Sequence, residues 1–528
     1  MRNPVTMSAY EDLRTGLTPE RTGDLQSWVR GVLTDTSLTP DQREHSLALG
    51  AAKVLPHLPY SEAATADLAD GTICMLGEIP LPCWPRYIAP DYARLLQNGS
   101  AFLKLKPARD LHDALTALIC VYQYSATVTL EPVFVGNLDT LLEPYIHTVP
   151  LAEAKRALKS FWTMVSRLYP SSFVHANFGP TETVVGRMLL EMDLEAGDEP
   201  INTSFRYDPA VTPPAFAELA ARSAMVLSKP YFHNHAMSAA DWGGEAYAIA
   251  SCYNLMRIGG GIHTLVRLNL GKVAEKANSA AEMLDRVLPE HAALLCEVVG
   301  LRSQFLGAES GFFTSSWLVK EGLLSLEKFT AYAGMFALAE AVNTLMAKEG
   351  RPEARYGQDT EANQLAARIM ARLAECVASH PLPFCEGTGG RACLHAQVGI
   401  DSDKGYTPAA RIPSHDEPEL YEHLRIVAPH DRYLPGGVSN IFEFEETAAD
   451  NPQAILDIVK GAFSLGIRNL ALGPSNGELI RVTGYLMRRS DVNKVLTHSE
   501  AVRGDGGLFG TGVVVNRPEH FDRRLRTV

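Results

Sequence analysis

The sequence predicts an α/β fold, and three observations carry that prediction. Helix-period apolar patterning fills residues 271–307, 325–349 and 359–380. Short β-like runs alternate with these stretches at 126–130, 246–250 and 469–472. Finally, 46% hydrophobic and 21% charged residues over 528 positions give a globular chain with a sizeable core, which excludes collagen, coiled coil and tail-like disorder.

In chain order, residues 1–70 read as a mostly helical, polar extension wrapped on the main body, and residues 71–465 as the body itself. Residues 466–528 form a C-terminal region with a glycine motif. Within 381–440, Gly, Pro, His and Asp crowd together and the periodicity vanishes, which predicts a long functional loop. A helix starts at Asn451 and Pro452, a capping residue followed by Pro at the first helical position. It runs through Ile455, Val459 and Phe463 and closes at Gly466. No internal repeat or low-complexity segment interrupts the chain.

The formal charge of −13 and pI near 5.7 repel nucleic acid and anionic lipid. Glu11, Asp12, Glu20 and Asp24 stand where a secretory signal would need an apolar run, and no stretch approaches the roughly 20 apolar residues of a membrane span. A cytoplasmic location is the expectation. The eight cysteines, at 74, 83, 120, 252, 296, 376, 385 and 393, are too scattered for a disulfide framework, so reduced thiols are expected. Cys385, Cys393 and His395 have poor spacing for zinc, and no metal site is expected.

The most informative stretch is Asn476, Gly477, Glu478, Leu479, Ile480, Arg481, Val482, Thr483, Gly484 and Tyr485. Taken alone it is a tight turn in which Gly484 supplies a positive φ. The pattern Arg-Val-x-Gly-Tyr near a C-terminus nevertheless resembles the signature of glycyl radical enzymes, whose glycine stores an unpaired electron on its α-carbon. With no side chain, that carbon flattens and the radical spreads into both flanking peptide groups. Such chemistry needs a cysteine to relay the radical to substrate. Cys252 is the best candidate, because it follows the apolar Tyr247, Ala248, Ile249 and Ala250 and precedes Asn254 and the run Gly259, Gly260, Gly261. An apolar setting keeps a thiol neutral and able to give up and recover a hydrogen atom. Cys120, Cys296 and Cys376 sit among apolar or helix-period neighbours and read as ordinary buried cysteines.

The resemblance extends to the YjjI-type glycyl radical enzyme family through seven segments: 88–94, 175–180, 251–254, 261–270, 338–343, 394–397 and 481–485. It implies a ten-stranded α/β barrel related to pyruvate formate-lyase and anaerobic ribonucleotide reductase, with surrounding helices and with the cysteine and glycine loops meeting at its centre. It also implies a radical-SAM activase that uses S-adenosylmethionine and a 4Fe–4S cluster to install the radical on Gly484. No cofactor bound permanently to this chain is implied, and a homodimer is. Under the same resemblance, oxygen should sever the activated chain near Gly484 and release a C-terminal piece of about 44 residues.

Departures narrow the reaction. Radical eliminases carry a Glu two residues after the cysteine, where this chain has Asn254, and pyruvate formate-lyase has two adjacent cysteines, where this chain has Ser251. No cysteine follows Cys393, so the zinc site of anaerobic ribonucleotide reductase is missing. His175, Asn177, His395, Gln397 and Arg257 are candidate substrate-binding groups, with Arg267 and Arg411 as further forks for a carboxylate or phosphate. Glu340, on an apolar helix face, is the candidate general base. Three readings follow: a radical enzyme acting anaerobically on a small polar metabolite by cleavage, elimination or rearrangement; a silent radical-bearing scaffold; and a metal-dependent hydrolase built on His395, His415 and Asp416.

Overall fold

The structure is a computed structural model that describes residues 19–36, 38, 40, 43, 47, 58–76, 78, 80–129, 133–168, 174–197, 201–397, 403, 405–438, 440–482, 485–498 and 523–528. Two sheets organise it, as the α/β prediction requires. The first has five strands: β1 (Ile73–Cys74), β2 (Tyr87–Ala89), β9 (Gly260–Asn269), β10 (Phe329–Phe336) and β11 (Cys393–His395). Here β9, β10 and β11 run parallel, and β1 and β2 pair antiparallel to β9.

The second sheet has seven strands: β3 (Val133–Phe134), β4 (Val174–Phe178), β5 (Ile201–Tyr207), β6 (Tyr231–Asn234), β12 (Ile441–Phe444), β13 (Asn469–Pro474) and β16 (Leu525–Arg526). From β3 to β6 its strands are parallel. The chain then turns over, since β13 pairs antiparallel to β6 and parallel to β12. Among the described residues, no ladder joins the two sheets. A short hairpin, β7 (Tyr247–Ile249) and β8 (Leu255–Arg257), touches residues of both, and a second hairpin, β14 (Leu479–Val482) and β15 (Tyr485–Arg488), follows β13.

Helices cover these sheets for reasons visible in their sequences. The helix Thr360–Ser379 is capped by Asp359, whose carboxylate accepts from the Glu361 and Ala362 amides, and it buries Leu365, Ile369, Leu373 and Cys376 on one face. The helix Pro452–Ser464 is capped by Asn451 and followed by Gly466 at φ +94°. Cys296 is buried on the helix Leu288–Gln304, whereas Cys120 is only half-buried. Within residues 1–70, the described helices are Pro19–Thr34 and Glu62–Asp70. Among the described residues, no helix is long and apolar enough to cross a membrane.

Three expectations need correction. Residues 329–336 are strand β10, not helix. A parallel strand buried on both faces reads as a continuous apolar run, and periodicity alone does not separate that from a helix. The helix begins only at Leu338. Residues 126–129 form no strand: the Ala126, Thr127 and Val128 amides donate to Tyr122, Tyr124 and Ser125 carbonyls, so these residues unwind the helix Leu111–Ser125. Finally, the irregular region 381–440 contains the helix Leu420–Asp431, whose period was concealed because His423, His430 and Asp431 are among its buried positions and Pro429 lies inside it.

Candidate active site

Cys252 sits at the tip of the β7–β8 hairpin. The turn is closed by the Tyr253 amide donating to the Ala250 carbonyl (2.9 Å) and the Ala250 amide to the Asn254 carbonyl (3.0 Å), with Tyr253 at φ +66°. Both sheets hold this tip. From β4, Asn177 imitates a strand partner: its Nδ2 donates to the Ile249 carbonyl (2.7 Å) and its Oδ1 accepts from the Ile249 amide (3.0 Å). His175, on the same strand, accepts from the Ser251 amide at Nδ1 (3.0 Å). From β10, the Tyr332 hydroxyl donates to the Leu255 carbonyl (2.6 Å) and accepts from the Leu255 amide (3.1 Å). A loop glycine closes the tip from another side, since a Cβ on Gly436 would lie 1.6 Å from the Tyr253 carbonyl oxygen.

Around the thiol is a set of neutral polar groups. Cys252 Sγ lies 3.5 Å from the Tyr87 hydroxyl, at the start of β2. That hydroxyl donates to Gln397 Oε1 (3.1 Å), just beyond β11, and the same oxygen accepts from Asn254 Nδ2 (3.1 Å). Asn254 Nδ2 also reaches the Cys252 carbonyl (3.0 Å). His395 Nε2 is 3.3 Å from Gln397 Oε1, and its ring stacks on Tyr332 at 4.5 Å between centroids. Burial, aided by the charges of Arg86 and Arg267, holds His395 down at about 3, and burial with Arg481 nearby holds His175 at about 3. Both rings are therefore neutral at physiological pH: they orient neighbours and do not titrate there. The nearby carboxylate of Glu78 is taken up by Arg302 (2.6 Å), the Leu265 amide (2.5 Å) and Arg86 (3.4 Å).

The hairpin β14–β15 approaches the same tip. Its residues Thr483 and Gly484 lie outside the described residues, but the strands on either side pair in register, Val482 opposite Tyr485. Arg481 anchors it: the guanidinium donates from Nε to the Ser228 carbonyl (3.2 Å), from Nη1 to Asn202 Oδ1 (3.3 Å), and lies 3.8 Å from the centre of the Tyr231 ring. Tyr231 in turn packs edge-on against Tyr253 at 5.9 Å. Burial, outweighing the Arg481 charge, pushes the Tyr231 hydroxyl well above its ordinary value. One buried tyrosine thus stands between the glycine hairpin and the cysteine tip.

A family model, "Glycyl radical enzyme YjjI-like", matches residues 38–526. The chain belongs to the YjjI-like glycyl radical enzyme family. It is 42% identical over 470 residues to the protein YjjI of Escherichia coli (strain K12), covering 89% of this chain and 90% of that one. Solved structures similar to it include an anaerobic ribonucleotide reductase (TM-score 0.67, 11% identity, 88% of this chain and 84% of that one). Another is a glycyl radical enzyme from Archaeoglobus fulgidus (TM-score 0.60, 12% identity, 80% and 68%). These likenesses show an α/β glycyl radical enzyme fold.

In this YjjI-like chain the remaining candidate residues lie elsewhere. Arg257 pairs with Glu245 (2.7 Å) and covers Trp242 at the far end of the β7–β8 hairpin, so it does not face Cys252. Glu340 accepts from the Thr407 amide (2.8 Å) and hydroxyl (2.6 Å) in a separate cavity. His415 and Asp416 pair with each other at 3.5 Å, and Asp416 with Arg355 at 2.9 Å, so the structure separates them from His395. Among the described residues, no group of three or more His, Cys, Asp or Glu could hold a metal ion. Sequence reasoning missed Tyr87, Tyr231 and Tyr332. The only local hint is that Tyr87 adjoins the segment 88–94; nothing else marks these three among 18 tyrosines.

Proposed function

We propose that the chain is a catalytic glycyl radical enzyme acting on a small polar metabolite. A radical on Gly484, installed by a radical-SAM activase, takes the hydrogen atom of the Cys252 thiol. The resulting thiyl removes a hydrogen atom from a substrate C–H bond, the substrate radical cleaves, eliminates or rearranges, and the product radical recovers the hydrogen from the thiol. Family membership supports the radical chemistry. The observation that carries the residue assignment is the convergence at one hairpin tip: Cys252 Sγ beside Tyr87, with Tyr231 between that tip and Arg481.

The surroundings suit hydrogen-atom transfer. The thiol is 5% exposed, which keeps water from a reactive radical. Asn254 stands where a base would follow the cysteine, and its Nδ2 is committed to Gln397 and the Cys252 carbonyl. This favours a reaction begun by hydrogen abstraction without a carboxylate at that position. Tyr87, Gln397 and Asn254 would then orient a hydroxyl-bearing substrate.

The test is anaerobic electron paramagnetic resonance after treatment with the activase and S-adenosylmethionine. A glycyl doublet is expected in the wild type and absent from Gly484→Ala. Cys252→Ala should keep the doublet and lose all turnover and all substrate-dependent decay of the signal. A Cys252→Ala protein that turns over with a normal glycyl signal would overturn the relay.

A further inference from the structure

Ser228 seats the glycine hairpin β14–β15 with both its backbone and its side chain. It ends the helix Pro214–Leu227, its amide donating to the Ala224 carbonyl (2.9 Å), and it stands in the left-handed region at φ +55°. Its carbonyl accepts from Arg481 Nε (3.2 Å) and Nη2, and its Oγ donates to the Leu479 carbonyl (3.0 Å). Strand β13 makes room for it at Gly473, where a Cβ would lie 2.5 Å from Ser228 Oγ. A non-glycine residue at positive φ persists where its surroundings over-determine it.

The next residue supplies that constraint. Lys229 is 0% exposed, and its ammonium reaches Asp193 Oδ2 (3.1 Å), near the end of the helix Val184–Ala196, and the Ile201 carbonyl (3.3 Å), at the start of β5. Asp193 is itself fixed by Trp162 Nε1, which donates to its Oδ1 (3.0 Å), and the Lys229 carbonyl accepts from Ser223 Oγ (2.9 Å). The peptide group that carries the Ser228 carbonyl is therefore tied on both sides, through Ala224 before it and Lys229 after it. Taking both charges out of water offsets most of their attraction, so a buried pair of this kind adds little net stability. What it supplies is one fixed geometry.

We propose that Asp193 and Lys229 are positioning residues for the radical-bearing hairpin: their pair sets the place of the Ser228 carbonyl and, through it and Arg481, the approach of the Gly484 turn to the Cys252 tip. The hairpin meets the same part of the molecule at two further points, Arg488 Nη2 on the Gly197 carbonyl (3.3 Å) and Leu479 and Leu486 against Leu194 and Leu227. Leu194 and Gly197 belong to the helix end that carries Asp193, so the ion pair also fixes the ground on which these contacts stand. The effect on the radical rests on the function proposed for Gly484; the seating of the hairpin does not.

Hydrogen–deuterium exchange of the full, unactivated protein, read on residues 479–482 and 485–488, tests it. A two-stranded hairpin protects its amides poorly by itself, so their protection reports docking. K229M/D193N removes both charges at nearly constant volume and keeps an acceptor for Trp162. Exchange in the hairpin should rise by about tenfold or more, the size of one or two lost hydrogen bonds, while β10 in the other sheet exchanges as in the wild type. Hairpin exchange equal to the wild type would overturn the proposal, and so would equal acceleration in β10, which would make the pair a support of the whole fold. S228A keeps the ion pair and loses the bond to Leu479, so it serves if the double variant does not fold; it should also speed hairpin exchange alone, and no change would remove Ser228 as the seat. After activation, the glycyl doublet of the double variant should decay faster than the wild-type doublet when oxygen is admitted, and equal decay beside faster exchange would overturn the link from the seat to Gly484. A wild type that gives no doublet with a proven activase would remove the radical function and leave the exchange result standing.

Discussion

At the scale of single residues, Tyr87 has the largest untested role. Its hydroxyl lies within hydrogen-bond reach of the Cys252 sulfur, and it donates to the oxygen that also holds Asn254. Tyr87→Phe should leave the glycyl signal intact and lower turnover by about tenfold, the size of one well-placed hydrogen bond. Equal rates for the two proteins, measured at matched radical content, would remove Tyr87 from the site. His395 and His175, being neutral throughout the physiological range, should give the activity profile no inflection between pH 6 and 8 of their own.

At the scale of elements, both hairpins depend on close fits. Gly436 leaves no room for a methyl group against the Tyr253 carbonyl, so Gly436→Ala should displace the cysteine tip and destabilise the fold by about 1–3 kcal/mol or more. Differential scanning calorimetry reads the loss. Arg481→Ala should free the β14–β15 hairpin, because the Ser228 carbonyl and the Tyr231 ring lose the guanidinium they hold, at a cost of about 1–3 kcal/mol. A fall in glycyl radical yield on activation would accompany it, whereas an unchanged yield would show that the anchor is dispensable. Strand β10 shows a related constraint: Gly334 admits the Arg267 side chain, whose Cγ would lie 2.5 Å from a Cβ at that position.

At the scale of the whole molecule, burial sets the pH dependence of stability. Six histidines, at 175, 233, 263, 395, 423 and 430, are held at about 3 or 4. Their folded values lie below the unfolded value near 6.5, so the stability they contribute is full above that pH and is lost as pH falls towards 4. Asp139, Asp431 and Glu443 act oppositely, since burial raises them to about 6, 7 and 7, and their contribution is lost as pH rises through those values. With six groups against three, the urea midpoint should fall on acidification from about pH 6.5 to 4. A midpoint that rises over that interval would contradict the burial of these rings.

The sequence by itself determined what is written locally: the α/β class, the helix cap at Asn451, and the glycine and cysteine motifs whose resemblance pointed to the family. Residues 329–336 escaped it, because a strand buried on both faces carries no period of its own and its state depends on neighbours 60 or more residues away. The site escaped it for the same reason. Tyr87 and Cys252 are 165 residues apart, and Tyr87 and Gln397 are 310 apart. The pairing of β2 with β9, of β9 with β10 and of β10 with β11 brings Tyr87 and Gln397 together, and Asn177 of β4 and Tyr332 of β10 hold the Cys252 tip beside them. The tertiary structure also sent Arg257 to Glu245 and Glu340 to Thr407, because a charged group goes to the partner that packing places within reach, and packing is settled by the whole chain.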